Sequence, residues 1–345
     1  MALAKKQQTH QRIGIEREDE LLKSKEMKRV NNLYAKIYDM DNLLLADEKA
    51  RKGKQNSYGV QLHDRNKDEN LKTLQNKLKN LAYETSEYSV FTITTPKERL
   101  IYRLPFFPDR IMHHAIMNLL EPILVSVFTR DSYACIKGRG VHDGVRRLKK
   151  DLAMDIPGTK YCLKLDIKKF YPSIDHEIML SIIGRKIKDK ELMLLLKEIV
   201  KSAPGLPIGN YLSQYFANLY LTYMDHFIKE ELKVKYYHRY ADDMVLLSGS
   251  KDELWSYFEK IQIYLNEKLK LEVKEDYQVF PVQKRGIDFI GYVFFHTHTL
   301  LRKSIKQSFA RAVKKNKPKE VLASYYGWAK HCNSKNLLKK LNYEI

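Results

Sequence analysis

Apolar residues recur along this chain with two different periods, and the points where one period gives way to the other divide it into elements. Leu71, Leu74, Leu78 and Leu81 lie three or four residues apart. So do Ile111, Ala115, Ile116, Leu119, Leu120, Ile123 and Leu124, the stripe of an amphipathic helix over residues 109–128 with Asp109 placed to cap its start. The same spacing predicts helices over residues 142–152, 177–187, 190–202, 213–232 and 254–269. Period two appears in residues 88–95, ended by Pro96, and in residues 99–104, ended by Pro105, a plausible pair of strands. It returns in residues 161–166, stopped by Pro172, in residues 236–240 and 244–247 on either side of Ala241-Asp242-Asp243, around Val273, and from Phe289 to Phe294. Leu21, Leu22, Val30, Leu33 and Ile37 predict one or two helices in the first fifty residues. Residues 53–68, rich in Gly, Asn and Lys, read as a loop or linker. The last forty residues are basic and helical, interrupted at Pro318, and no internal repeat is visible.

This mixture is α+β, and 345 residues suffice for one large domain or two to three sub-domains. The charge changes the picture. Lys and Arg number 62 against 42 Asp and Glu, a formal net charge of +20 that suits a polyanionic partner better than an acidic small molecule. The 23 tyrosines add to this, since aromatic faces stack bases while cations hold phosphates. No apolar run long enough to span a bilayer and no N-terminal signal segment are found, so no membrane role and a cytoplasmic location are expected. Cys135, Cys162 and Cys332 are scattered without a CxxC pair, which argues against a disulfide framework and against a zinc site.

Three carboxylates carry the chemistry. Asp166 ends an alternating strand and Asp242-Asp243 sit at a hairpin tip, so a sheet pairing these strands brings all three together. Converging acids raise one another's pKa unless cations neutralise them. Two Mg2+ ions, with Mn2+ as substitute, are the natural partners; two such ions about 3.5–4 Å apart stabilise the attacking and leaving oxygens of a phosphoryl displacement. An isolated Asp-Asp pair would be ordinary turn chemistry. Here Tyr240-Ala241-Asp242-Asp243 has Tyr237 and Arg239 before it and Met244-Val245-Leu246-Leu247 after it, the signature of reverse transcriptases. The chain resembles that family over most of its length.

Further motifs extend the resemblance. Leu165-Asp166-Ile167-Lys168-Lys169-Phe170-Tyr171 is similar to the family's first acidic motif. By that match Tyr171 is the steric gate against a ribose 2′-hydroxyl and Phe170 is packing; the alternative for Tyr171 is a packed aromatic at a strand end. In Gly205-Leu206-Pro207-Ile208-Gly209-Asn210-Tyr211-Leu212-Ser213-Gln214, Gly209 lets backbone approach the template and nascent base pair. Most relatives have Gln-Gly and Ser-Pro where this chain has Ile208-Gly209 and Ser213-Gln214, a departure similar to the reverse transcriptases of diversity-generating retroelements; alternatively Ile208 is a plain loop aliphatic. Pro96-Lys97-Glu98-Arg99 and Leu104-Pro105-Phe106-Phe107-Pro108-Asp109 resemble early finger motifs. Lys137 and Arg139 would contact triphosphate or template, the alternative being solvated loop charges, and Ile136 stands where many relatives carry Arg. Gly291-Tyr292 resembles the primer grip, residues 325–331 resemble a thumb segment, and Lys274 sits where a polymerase supplies a proton to pyrophosphate.

The resemblance implies a right-hand polymerase: an N-terminal helical extension over residues 1–50, fingers over 51–160 with finger or palm helices over 176–204, a palm with antiparallel sheet over 161–295, and a basic helical thumb over 296–345. It implies an RNA-directed DNA polymerase binding template RNA, a cDNA or primer strand and dNTPs. The source would be bacterial, archaeal or phage. For a diversity-generating retroelement it implies errors opposite adenine and an accessory variability protein oligomer as partner. The alternatives are a retron, group II intron-like or phage-defence reverse transcriptase and, from another class, a non-catalytic RNA-binding scaffold.

Overall fold

The computed structural model describes residues 29–94 and 98–343. Leu21 and Leu22 of the predicted N-terminal helices, and Pro96 and Lys97, lie outside the described residues. Helix Met40–Arg51 (α1) starts at Asp39, whose carboxylate accepts from the Asp41 amide at 2.9 Å. Helices Tyr58–Asp64 (α2) and Lys67–Lys79 (α3) follow, then an antiparallel hairpin of Ser89–Ile93 (β1) and Arg99–Arg103 (β2), and helix Ile111–Val125 (α4). Leu43, Ala46 and Ala50 of α1 are buried, and α1 packs along α4. Helix Val141–Met154 (α5) precedes strand Tyr161–Asp166 (β3). Helices His176–Gly184 (α6) and Lys190–Lys201 (α7) are each capped by an aspartate, Asp175 and Asp189, that accepts from first-turn amides.

Helix Tyr211–His226 (α8) leads into strands Tyr236–Tyr240 (β4) and Asp243–Ser248 (β5), and Ser250 caps helix Lys251–Leu269 (α9). Strands Gln278–Pro281 (β6), Ile287–Phe289 (β7), Tyr292–Phe294 (β8) and Thr299–Leu301 (β9) come next, and helices Lys303–Lys314 (α10), Lys319–Ala329 (α11) and Lys335–Lys340 (α12) close the described chain. Among the described residues no helix is long and apolar enough to cross a membrane.

The central sheet has the order β4-β5-β3-β6 and is antiparallel throughout; β7-β8-β9 form a second sheet. Side-chain alternation splits the central strands between two cores. Leu163, Leu165, Ile167, Tyr237, Met244 and Leu246 face the larger core, which includes α8, α9 and the α1–α4 region. Cys162, Tyr236, Val245, Leu247 and Phe280 face the smaller core, with α5, the β7-β8-β9 sheet and α10–α11. Arg239 reaches to the helix side, where its guanidinium and Asp225 of α8 form an ion pair, both side chains fully buried. Removing one partner of such a pair costs about 3–5 kcal/mol, because the other charge is left without solvent.

Several expectations are corrected. The supposed linker 53–68 contains α2, since Val60 and His63 are buried and His63 stacks on Phe107, a long-range contact that turn-rich composition conceals. Asp109 does not cap α4. It is buried and accepts from the Tyr83 hydroxyl at 2.8 Å and the Ser86 amide at 3.1 Å. The strand expected around Val273 is a single bridge to Ile167, and it is β6 that pairs with the edge of β3 opposite β5. Residues 289–294 are not one strand: Phe289 ends β7, Ile290 and Gly291 form the turn, and Tyr292–Phe294 is β8. The segment after residue 295 is not wholly helical, because β9 completes the second sheet.

Candidate active site

Register fixes the first two carboxylates. Asp166, the last residue of β3, is paired with Asp243, the first of β5, so both side chains leave the same face of the sheet. Tyr240 pairs with Asp243, which leaves Ala241 and Asp242 as a two-residue turn, and Ala241 takes φ +55° to close it. Beyond Asp166 the strand is extended by a short ladder, Lys168 N to Glu272 O at 2.8 Å and Lys274 N to Asp166 O at 2.9 Å. That ladder delivers the Lys274 ammonium to Asp166 Oδ2 at 2.7 Å.

Burial raises the Asp242 carboxyl to about 7, helped by the charge of Asp166 and a hydrogen bond with it, while Lys274 opposes. Burial likewise lifts Asp243 to about 6; Lys164 pulls it down and Asp166 pushes it up. For Lys274 the largest influence, burial, would lower the ammonium, yet its hydrogen bond and charge contact with Asp166 leave it raised. Asp166 Oδ1 and Asp243 Oδ1 are buried with no hydrogen-bond donor. Such oxygens are costly unless a cation satisfies them, and hard carboxylate oxygens suit magnesium. Among the described residues no three His, Cys, Asp or Glu side chains are gathered as a metal cage. Asp166 turns one oxygen to Lys274, and Lys164 stands 3.6 Å from Asp243 Oδ1. The donor set fits divalent metal once these lysines yield.

The other sequence-predicted residues divide. Tyr171 is partly buried beside the carboxylates; burial and then the charges of Cys135 and Asp242 raise its phenol. Its carbonyl accepts from Leu206 N at 2.8 Å, and a Cβ at Gly205 would stand 2.4 Å from that oxygen. Phe170 is core. Gly209, whose backbone was expected to approach the template, lies against the fingers hairpin: at φ +127° its missing Cβ leaves room for the Tyr102 carbonyl oxygen, 2.4 Å from where that atom would be. The Ile208 carbonyl accepts from Tyr102 N at 2.8 Å, and Gln214 is exposed in the first turn of α8.

Arg139, expected at the triphosphate or template, donates through Nη1 to the carbonyls of Thr129 and Ser132, which orients it within its own loop. Lys137 is exposed in that loop, and Ile136 is buried in the larger core. Tyr292, expected at the primer, is fully buried, and its hydroxyl donates to the Trp328 carbonyl at 2.9 Å. Gly291 is needed for the same packing, since a Cβ there would stand 2.5 Å from the Trp328 ring. A residue missed from sequence is Lys164, a lone cation on a strand that otherwise reads as apolar alternation; its offset of two from Asp166 was the available signal.

Comparison with known proteins gives a consistent result. Residues 94–294, more than half of the chain, match the family model described as reverse transcriptase (RNA-dependent DNA polymerase). The group II intron-encoded protein LtrA of Lactococcus lactis subsp. cremoris is 22% identical over 263 residues, covering 55% of this chain and 43% of LtrA. Retron Ec73 reverse transcriptase of Escherichia coli is 25% identical over 224 residues, covering 58% of this chain and 69% of that protein. Apo telomerase from Candida tropicalis superposes with a TM-score of 0.48 at 14% identity, covering 67% of this chain and 52% of the telomerase chain. The chain thus spans less than half the length of LtrA. An antiparallel palm-type sheet with helices behind it, two register-paired aspartates beside a two-residue Ala241–Asp242 turn, and the family match agree: the chain belongs to the reverse transcriptase family and has its right-hand α+β fold.

Proposed function

We propose that this protein is an RNA-directed DNA polymerase whose Asp166, Asp242 and Asp243 hold two Mg2+ ions, with Mn2+ able to replace them. The observation that carries this is the register pairing of Asp166 with Asp243, each with one buried oxygen lacking a donor, beside the Asp242 turn. Magnesium bound there supplies charge stabilisation to the attacking 3′-oxygen and the departing pyrophosphate. The chain's own groups do the rest. Tyr171, beside Asp242, blocks a ribose 2′-hydroxyl by occupying its space. Lys274 Nζ, protonated and held on Asp166, is the proton source for pyrophosphate. Lys137 is the exposed cation of its loop available to triphosphate or template. The β7–β8 hairpin around Gly291 and Tyr292 offers backbone, not the Tyr292 ring, to a primer strand. The fingers comprise residues 51–160 with 176–204, the palm residues 161–295 and the thumb residues 296–345, the last now including β9.

The finer reading is a diversity-generating retroelement enzyme, supported by Ile208-Gly209 and Ser213-Gln214. The Ile208 backbone is bonded to Tyr102 of β2, so this loop couples the fingers hairpin to the helix presenting Gln214. A template RNA, dNTPs and an accessory variability protein oligomer are the partners. The second reading, a retron or group II intron-type enzyme, is favoured by the likeness to LtrA and the Ec73 enzyme. Sequencing cDNA made from cognate RNA with the accessory protein separates the two: errors concentrated opposite template adenine support the first, and even error rates opposite all four bases support the second. Ile208→Gln is expected to lower adenine errors more than it alters product length; an unchanged error spectrum removes Ile208 from the account.

A further inference from the structure

Lys164 occupies the face of β3 that carries Asp166, two residues before it. Its ammonium donates to the carbonyl of Asp288 on β7, and the same nitrogen stands 3.6 Å from Asp243 Oδ1, an oxygen without a hydrogen-bond donor. The Asp288 carboxylate is held in turn by Arg302 Nε at 2.6 Å, at the base of α10. One lysine therefore touches three parts: the palm strand, the catalytic hairpin, and the sheet that ties the palm to the C-terminal helices. Both Lys164 and Asp243 are partly open to solvent, 28% and 26%, so water moderates their attraction without cancelling it.

The two contacts call for different properties of the side chain. A carbonyl needs a donor, which an amide could supply. Asp243 responds to charge, which an amide lacks. A cation this close to a ligand carboxylate competes with any metal for it, and a donor on Asp288 O fixes the spacing between β3 and β7.

We propose that Lys164 is a positioning residue that tempers divalent-cation binding at Asp243 and anchors the β7–β8 hairpin to the catalytic strand. This rests on the proposed two-metal function. When metal binds, the ammonium keeps its bond to Asp288 and yields Asp243; when metal leaves, it holds the carboxylate in place. The hairpin's distance from the carboxylates is thereby set by a side chain that also senses whether metal is bound.

The test is Mn2+ binding to the full chain without nucleic acid, followed by the electron paramagnetic resonance of free Mn2+, alongside primer-extension kinetics. Lys164→Gln keeps a donor and removes the charge. It is expected to tighten Mn2+ binding roughly five-fold with little change in KM for template-primer. Lys164→Met removes both and is expected to tighten Mn2+ equally while raising that KM, and Lys164→Arg is expected to restore wild-type binding. In an Asp243→Asn background the Lys164→Gln effect should vanish. Unchanged or weaker Mn2+ binding in Lys164→Gln, with wild-type binding dependent on Asp243, overturns the role of Lys164 and leaves the two-metal reading standing. Wild-type protein that binds no Mn2+ through Asp243 overturns both. If Lys164→Met does not fold, Lys164→Gln and Lys164→Arg still decide the charge effect.

Discussion

Two carboxyls, Asp242 and Asp243, carry pKa values displaced upward by burial and by the charge of Asp166, and that displacement has a sign. A carboxyl raised in the folded state, as Asp242 is to about 7, binds its proton more tightly folded than unfolded. Its contribution to stability is full below the unfolded value of about 4 and is lost as pH rises through about 7. Without divalent metal, Asp242→Asn is therefore expected to melt higher than wild type at pH 8 and no higher at pH 4, and Mg2+ is expected to raise the wild-type melting temperature more at pH 8 than at pH 5. Thermal melts followed by circular dichroism check both; a variant advantage independent of pH would contradict the charge argument. Tyr171 permits a second test at this scale. With its ring removed in Tyr171→Ala, discrimination against ribonucleotides, read as the ratio of kcat/KM for dNTP and NTP, is expected to fall by about two orders of magnitude, because a steric block is lost and no charge is altered. Unchanged discrimination would assign Tyr171 to packing alone.

Between elements, the Gly205–Gly209 loop is tied to β2 and to the Tyr171 turn by backbone hydrogen bonds and leads into α8, with Leu206 buried in the larger core. Gly209→Ala adds a Cβ against the Tyr102 carbonyl at φ +127° and is expected to destabilise by about 2 kcal/mol in urea denaturation. A loss within a few tenths would mean the hairpin moves aside freely. The elements that sequence reading captured best were those whose pattern is local. β3 alternates cleanly because one face meets the helices and the other the second core, so its limits at Tyr161 and Asp166 were legible. α7 and α9 were legible from their apolar stripes, although the caps Asp189 and Ser250 were not read and α9 was started at Leu254, three residues past its first. What stayed hidden depends on contacts between distant residues. α2 is held by Phe106 and Phe107, Arg139 is absorbed by carbonyls of its own loop, and Tyr292 is locked onto Trp328. The Asp-Asp box announced the site, but the lysines facing it, Lys164 and Lys274, owe their place to strand register and to the ladder beyond Asp166. Only Lys274 was singled out beforehand, and on family likeness alone.

For the whole molecule, a net charge of +20 predicts that the proposed template-primer binding is dominated by phosphate contacts. The helices after β9 concentrate part of it, with Lys303, Lys306, Arg311, Lys314, Lys315 and Lys317 in or next to α10. If about six phosphates are neutralised, template-primer affinity is expected to fall roughly a thousand-fold between 50 and 200 mM salt, as measured by fluorescence anisotropy. A flat salt dependence would place recognition in base or shape contacts instead.

All three scales meet in the claim that Asp166, Asp242 and Asp243 act together in RNA-templated DNA synthesis. The most direct measurement is single-turnover extension of a DNA primer on an RNA template, with Mg2+, dNTPs and the accessory protein, comparing wild type with Asp166→Asn. The account predicts extension by wild type and a loss of about a thousand-fold or more in the variant with its fold intact by circular dichroism. Equal extension by the two proteins would contradict it.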